Sequence, residues 1–142
     1  KAIRIPVLNM PELVFKNASK NCNYNTKIGL LATETTIKTK IYSKLFNKKF
    51  ALVLPTKKFQ IKNVNKSIRL VKTGKTREAE KILRPAINYL LKINCKKIIL
   101  GCTELPIAVF AYKSFKKAKL SKTFLDPNLI LAEASMRKYK NL

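Results

Sequence analysis

The chain has 142 residues, 46% of them hydrophobic, with six Pro and three Gly. This is the length of one domain with a packed core; it excludes a disordered tail or collagen-like repeat, and a two-domain enzyme with a full cleft unless further chain exists. Lys and Arg number 31 against seven Asp and Glu, giving +24, a balance that suggests nucleic acid, anionic membrane or an acidic partner.

Elements follow from apolar period and punctuation. A short strand is expected at Ile3 to Leu8, after which Met10-Pro11-Glu12 opens a helix, Pro suiting the first turn and Glu its dipole. That helix fades in the polar connector Asn21 to Asn25. Lys27 to Ala32 runs apolar without alternation, as a parallel strand covered on both faces does. Thr33 to Thr36 supplies capping hydroxyls, and Ile37, Ile41 and Leu45 fall on one face of a following helix.

The pattern repeats with a strand from Phe50 to Leu54, stopped by Pro55, and a helix through Ile61, Val64, Ile68 and Val71 to a C-cap at Gly74. A helix from Thr76 to Asn94 holds Pro85, which should kink or divide it. Lys97 to Gly101 is a strongly apolar strand, followed by a brief helix from Glu104 to Phe110 and a lysine-rich loop from Lys113 to Lys122. Phe124-Leu125 is a last strand, and Asp126-Pro127 caps a terminal helix. Strands alternating with helices predict an α/β fold: a mainly parallel sheet with helices on both faces.

The charge has a plainer source than a binding face. Lys, Asn and Ile number 26, 12 and 14, the bias of an A+T-rich coding sequence, while Arg, the better reader of phosphates and bases, supplies five and the lysines are spread along the chain. Nucleic acid is therefore not the expected partner. No apolar run reaches the roughly 20 residues of a membrane span, and the three cysteines, Cys22, Cys95 and Cys102, make neither a CxxC nor an even disulfide set. A reduced, cytoplasmic setting without membrane attachment is expected. With no His, histidine-based triads and metal sites are excluded, no metal is expected, and acid-base work falls to Cys, Lys, Glu, Asp or Tyr.

Loops leaving the carboxyl ends of parallel strands line the ligand crevice, which makes Gly101-Cys102-Thr103-Glu104 the informative segment. Gly101 would let the backbone turn toward a ligand, and Cys102 would meet a helix N-terminus, where a thiol pKa is lowered. A small buried cysteine is the alternative at this point.

Lys97 to Pro106, read as an apolar strand followed by G-C-T-E, resembles the second cysteine motif of the aspartate/glutamate racemase family, aspartate racemase branch. Ile28-Gly29-Leu30-Leu31-Ala32-Thr33 with Thr36 and Tyr42 resembles its G-L-L-A-T-x-x-T segment. Ile5-Pro6-Val7-Leu8-Asn9-Met10 is similar to its I-P-x-I-N strand, Ile68 to Gly74 to its I-x-x-V-K-x-G stretch, and Leu125-Asp126-Pro127 with Leu131-Ala132-Glu133 to its terminal helix.

The resemblance implies the second domain of a two-domain pseudo-symmetric racemase: residues 1–26 ending the first domain and its connector, 27–125 the second α/β domain, 126–142 the C-terminal helix. It implies a cofactor-independent amino-acid racemase in which two cysteines transfer protons on opposite faces of the α-carbon of a small acidic substrate: aspartate, glutamate, or another acid such as a maleate-like or hydantoin-like compound. Cys102 would be one thiol, Lys72 and Thr103 would bind the substrate, and Glu104 would orient the site. The family's first cysteine lies in a C-N-T-A segment upstream of the I-P-x-I-N strand, so a missing N-terminal domain is the expected partner, and this chain is expected to be a fragment, inactive alone, with Lys1 not the start of translation. A homodimer is a further expectation. Cys22-Asn23-Tyr24-Asn25-Thr26 imitates the first motif only superficially, Cys95 reads as packing, and Thr35 departs from the family's Gly. Two other readings are a decayed, non-catalytic remnant and a basic nucleic-acid-binding domain.

Overall fold

A computed structural model describes residues 7–111 and 122–139. The expected strand at Ile3 to Leu8 falls mostly outside these residues, and Val7 and Leu8 form no strand. The lysine-rich loop, apart from Lys122, also lies outside them.

Chain order begins with α1 (Met10–Asn21), whose N-cap Asn9 accepts from the Glu12 N–H. It continues through β1 (Lys27–Ala32), α2 (Glu34–Lys38), α3 (Ser43–Phe46) and β2 (Ala51–Val53). A helical stretch follows, made of α4 (Lys57–Phe59), a π-helical turn (Gln60–Asn65) and α5 (Lys66–Lys72). Last come α6 (Thr76–Lys92), β3 (Lys97–Gly101), α7 (Glu104–Phe110), β4 (Phe124–Leu125) and α8 (Pro127–Tyr139). The four strands make one parallel sheet in the order β2-β1-β3-β4.

Side chains alternate across a strand, so each strand feeds two cores. Leu31, Ile98 and Leu100 meet α5, α6 and α7 through Ile68, Leu83, Ile87, Leu90 and Leu105. On the other face Ile28, Leu30, Ala32, Ile99 and Leu125 meet α1, α3 and α8 through Val14, Ala18, Phe46 and Ile130. Burial on both faces is why β1 and β3 read as unbroken apolar runs. Gly29 belongs to this packing: a Cβ there would come within 2.8 Å of Leu90 Cδ1, so its absence lets α6 lie close on the sheet.

Two expected elements differ. Ile37, Ile41 and Leu45 do not share one helix: Lys40 adopts φ 58°, a left-handed conformation that ends the first turns, and α2 and α3 follow separately. Ile41 is left 46% exposed, while Tyr42 enters the core. Pro85 does not divide α6, which runs unbroken from Thr76 to Lys92 because Leu83, Ala86, Ile87 and Leu90 anchor both sides of it in the core. Gly74, at φ 76°, ends α5 as expected, with Lys75 N–H bonded to Leu70 O and Gly74 N–H to Val71 O. Among the described residues no helix is long and apolar enough to cross a membrane.

Candidate active site

From β1 the chain moves outward to β2, then returns across the sheet to β3 and out to β4, so β1 and β3 are the pair at which the winding reverses. Crevices of open parallel sheets form outside the carboxyl ends of such a pair. Ala32 and Gly101 are register partners there, and Thr33 and Cys102 follow them directly. Gly101 is needed for strand packing, not for a turn toward ligand: its φ is not positive, and a Cβ would lie 3.1 Å from both Ala32 Cβ and Leu30 Cδ1.

Cys102, Thr103, Glu104 and Lys72 come together. Cys102 Sγ donates to Glu104 Oε2 at 2.7 Å, and Thr103 Oγ1 donates to the same oxygen at 2.9 Å. Lys72, in the last turn of α5, brings Nζ to 3.7 Å from Glu104 Oε1. The carboxylate side chain is 18% exposed and the lysine 64%, so the pair contributes little stability. Met10, Tyr42, Gly101, Cys102, Thr103 and Asn128 line a cavity of about 120 Å³ beside the sulfur. Thr33, Asn65, Arg69 and Lys72 line a more open recess of about 320 Å³ on the α5 side.

The electrostatics reverse one expectation. The Cys102 pKa is pushed up to about 11, first by burial, then by its hydrogen bond to Glu104 and the charge of that carboxylate; Lys72 opposes only weakly. Desolvation and an anionic neighbour thus outweigh the helix N-terminus, since α7 is only seven residues long and Glu104 sits in its first turn. The same contact holds the Glu104 pKa below its ordinary value, with the Cys102 hydrogen bond the leading cause, partly offset by burial, and Thr103 and Lys72 assisting. At rest the site therefore holds a protonated thiol on an ionised carboxylate.

Cys95 is buried just before the amino end of β3, and burial raises its pKa. Cys22 follows α1, and its charged neighbours are Lys97 and Lys49. Lys97 is the first residue of β3, so both thiols lie toward the end of the sheet opposite Cys102. None of the three cysteines is in a disulfide.

Residues that the sequence reading did not single out complete the surroundings. Gln60, 7% exposed, donates Nε2 to Ala32 O at 2.9 Å and to Asn65 Oδ1 at 2.8 Å, and Asn65 Nδ2 donates to Glu34 Oε1 at 2.7 Å. This chain ties the π-helical turn to the β1–α2 loop, where Thr33 Oγ1 accepts from the Thr36 N–H. Gln60 precedes Val64 and Ile68 at four-residue steps, so a polar residue on the buried face was a readable signal.

The comparisons agree with this architecture. Picrophilus torridus aspartate racemase superposes with a TM-score of 0.70 at 24% identity, covering 94% of this chain and 55% of that one. An aspartate racemase homologue from Pyrococcus horikoshii OT3 gives the same TM-score and identity, covering 94% and 58%. The fold is thus one found in racemases. By sequence, the profile of the Asp/Glu/Hydantoin racemase family matches residues 1–135, and the chain belongs to that family. An uncharacterized protein in the pnlA 3′ region of Pectobacterium carotovorum is 40% identical over 91 residues, 63% of this chain and 59% of that protein. A glutamate racemase of Carboxydothermus hydrogenoformans is 28% identical over 98% of this chain and 52% of its own length. The chain spans a little over half the length of these relatives.

Proposed function

We propose that Cys102 is one of two proton-transfer thiols in a cofactor-independent racemase acting on an acidic amino acid, and that this chain supplies one face of the reaction. The supporting observation is the contact of Cys102 Sγ with Glu104 at the carboxyl ends of β1 and β3, with Thr103 and Lys72 on the same carboxylate. Inversion needs an acid and a base on opposite sides of the α-carbon. A thiol that keeps its proton at rest suits the acid that reprotonates a carbanion-like intermediate; run in reverse, its thiolate is a stronger base for the same reason. In this reading Lys72 and the Thr103 hydroxyl, both beside Glu104, bind a substrate carboxylate, and Glu104 orients the sulfur.

The base for the first direction has to come from the opposite face. Cys22 and Cys95 lie toward the other end of the sheet, so a second polypeptide segment carrying the first cysteine would complete the site. The test follows L-aspartate and L-glutamate by chiral chromatography with the chain alone, with the chain plus a family N-terminal half bearing C-N-T-A, and with the Cys102→Ser chain plus that half. The expected result is D-enantiomer in the second sample only. Conversion that persists in the third sample would refute the role of Cys102.

A further inference from the structure

Tyr42 immediately precedes α3 and is 4% exposed; its ring lies 6.1 Å from that of Phe46 and packs in the cluster that holds Ile28, Leu30 and Ala32. A tyrosine buried this far ordinarily gives its hydroxyl to a protein acceptor, yet this hydroxyl makes no hydrogen bond among the described residues. The buried side-chain atoms without a partner among those residues belong to Ser19 and Gln60. Tyr42 lies against cavity space beside Cys102. The residue lines two cavities, one of about 150 Å³ with Thr36 and Lys40, and the one of about 120 Å³ lined by Cys102 and Thr103.

We propose that Tyr42 is a further substrate-contacting residue of the Cys102 site, its phenolic O–H donating to a carboxylate oxygen of an acidic amino acid held beside Cys102 and Thr103. This rests on the racemase reading given above. An ionised Glu104 at the sulfur repels a carboxylate, and Lys72 lines the open recess on the α5 side and not this cavity, so the second carboxylate of an acidic amino acid needs a further donor here. Burial raises the Tyr42 pKa to about 12, which keeps the phenol a neutral donor across the working range. Tyr42→Phe keeps the ring in its apolar seat, and since the hydroxyl makes no bond among the described residues, its removal is expected to leave the fold in place.

The experiment uses the 142-residue chain and follows iodoacetamide labelling of each cysteine by peptide mass spectrometry under rising L-aspartate or L-glutamate. Buried Cys95 reports an intact fold by staying unlabelled, and Tyr89→Phe, which removes a hydroxyl from a ring tilted against Phe59, is the control. In the wild-type chain and in Tyr89→Phe the acid is expected to protect Cys102 at equal concentrations, whereas Tyr42→Phe is expected to need on the order of ten-fold more, the effect of losing a hydrogen bond to a charged group. Equal protection of Tyr42→Phe and wild type would overturn the proposal and leave the racemase reading standing. A wild-type Cys102 that neither acid protects would overturn that reading and the assignment of Tyr42 with it.

Discussion

Cys95 and Cys102 stand just outside the two ends of β3, five strand residues apart in chain, and their surroundings differ in kind. Around Cys95 are the aliphatic side chains of the α6 core, and its thiol fills space. Around Cys102 are a carboxylate, a hydroxyl, a lysine and an open cavity. After Lys97 the strand is apolar, so neither the residue type nor the strand core separates the two. Position relative to the carboxyl ends of a parallel sheet does, because chain reversals there leave loops and helix starts facing a crevice while the amino ends are closed by returning helices.

The comparison breaks most visibly in stability. Cys95→Ser places a hydroxyl where no partner waits and is expected to cost about 1–3 kcal/mol, whereas Cys102→Ser, which keeps Glu104 within reach, is expected to cost under about 0.5 kcal/mol. Urea unfolding of both variants checks this; equal losses would mean that Cys102 is a packing residue too.

A second expectation concerns alkaline pH. The folded pKa of Cys102, raised from 9.0 to about 11, means that the fold holds a proton which the unfolded chain gives up. The stability it contributes is full below pH 9 and is lost as pH rises through about 11. Tyr42, raised from 10.0 to about 12, adds a loss over the window above. The melting temperature is expected to fall from pH 9 upward, less steeply in Cys102→Ser; an unchanged slope in that variant would contradict the burial and carboxylate effects on the thiol. Glu104 acts in the opposite direction: its depressed pKa contributes stability above the ordinary carboxylate range, which is lost as pH falls through the folded value.

The finest distinction is between the two charges on the thiol. Glu104→Gln removes the anion that holds the proton on Cys102, so the labelling midpoint of Cys102 is expected to move to lower pH. Lys72→Met removes a weaker, largely exposed, opposing charge and is expected to move it slightly upward. Labelling of Cys102 across pH in both variants reads the two shifts; a downward shift in Lys72→Met would reverse the assigned electrostatics.

Much of this was legible in the sequence. The unbroken apolar runs Lys27 to Ala32 and Lys97 to Gly101 are the two central strands, and Asp126-Pro127 and Gly74 are caps as their chemistry suggests. The G-C-T-E segment located the thiol, and Lys72, thirty residues earlier, meets Glu104. The direction of the thiol pKa was not legible, because it depends on which way the neighbouring glutamate turns and how far the sulfur is desolvated. The break between α2 and α3 was hidden for a similar reason: helical spacing of Ile37, Ile41 and Leu45 is satisfied on paper, but the larger Tyr42 wins the core position. Division at Pro85, one of the two effects expected of it, does not occur, since packing on both sides of it holds α6 in one piece.

Isotope labelling examines the proton-transfer role most directly. The chain, joined with a half bearing the first cysteine, is given L-aspartate in D2O, and the α-hydrogen of both enantiomers is followed by NMR and chiral separation. Early D-aspartate carrying deuterium while the remaining L-aspartate stays protiated, with all conversion lost in Cys102→Ser, is the predicted result. D-aspartate forming at an undiminished rate in Cys102→Ser would contradict it.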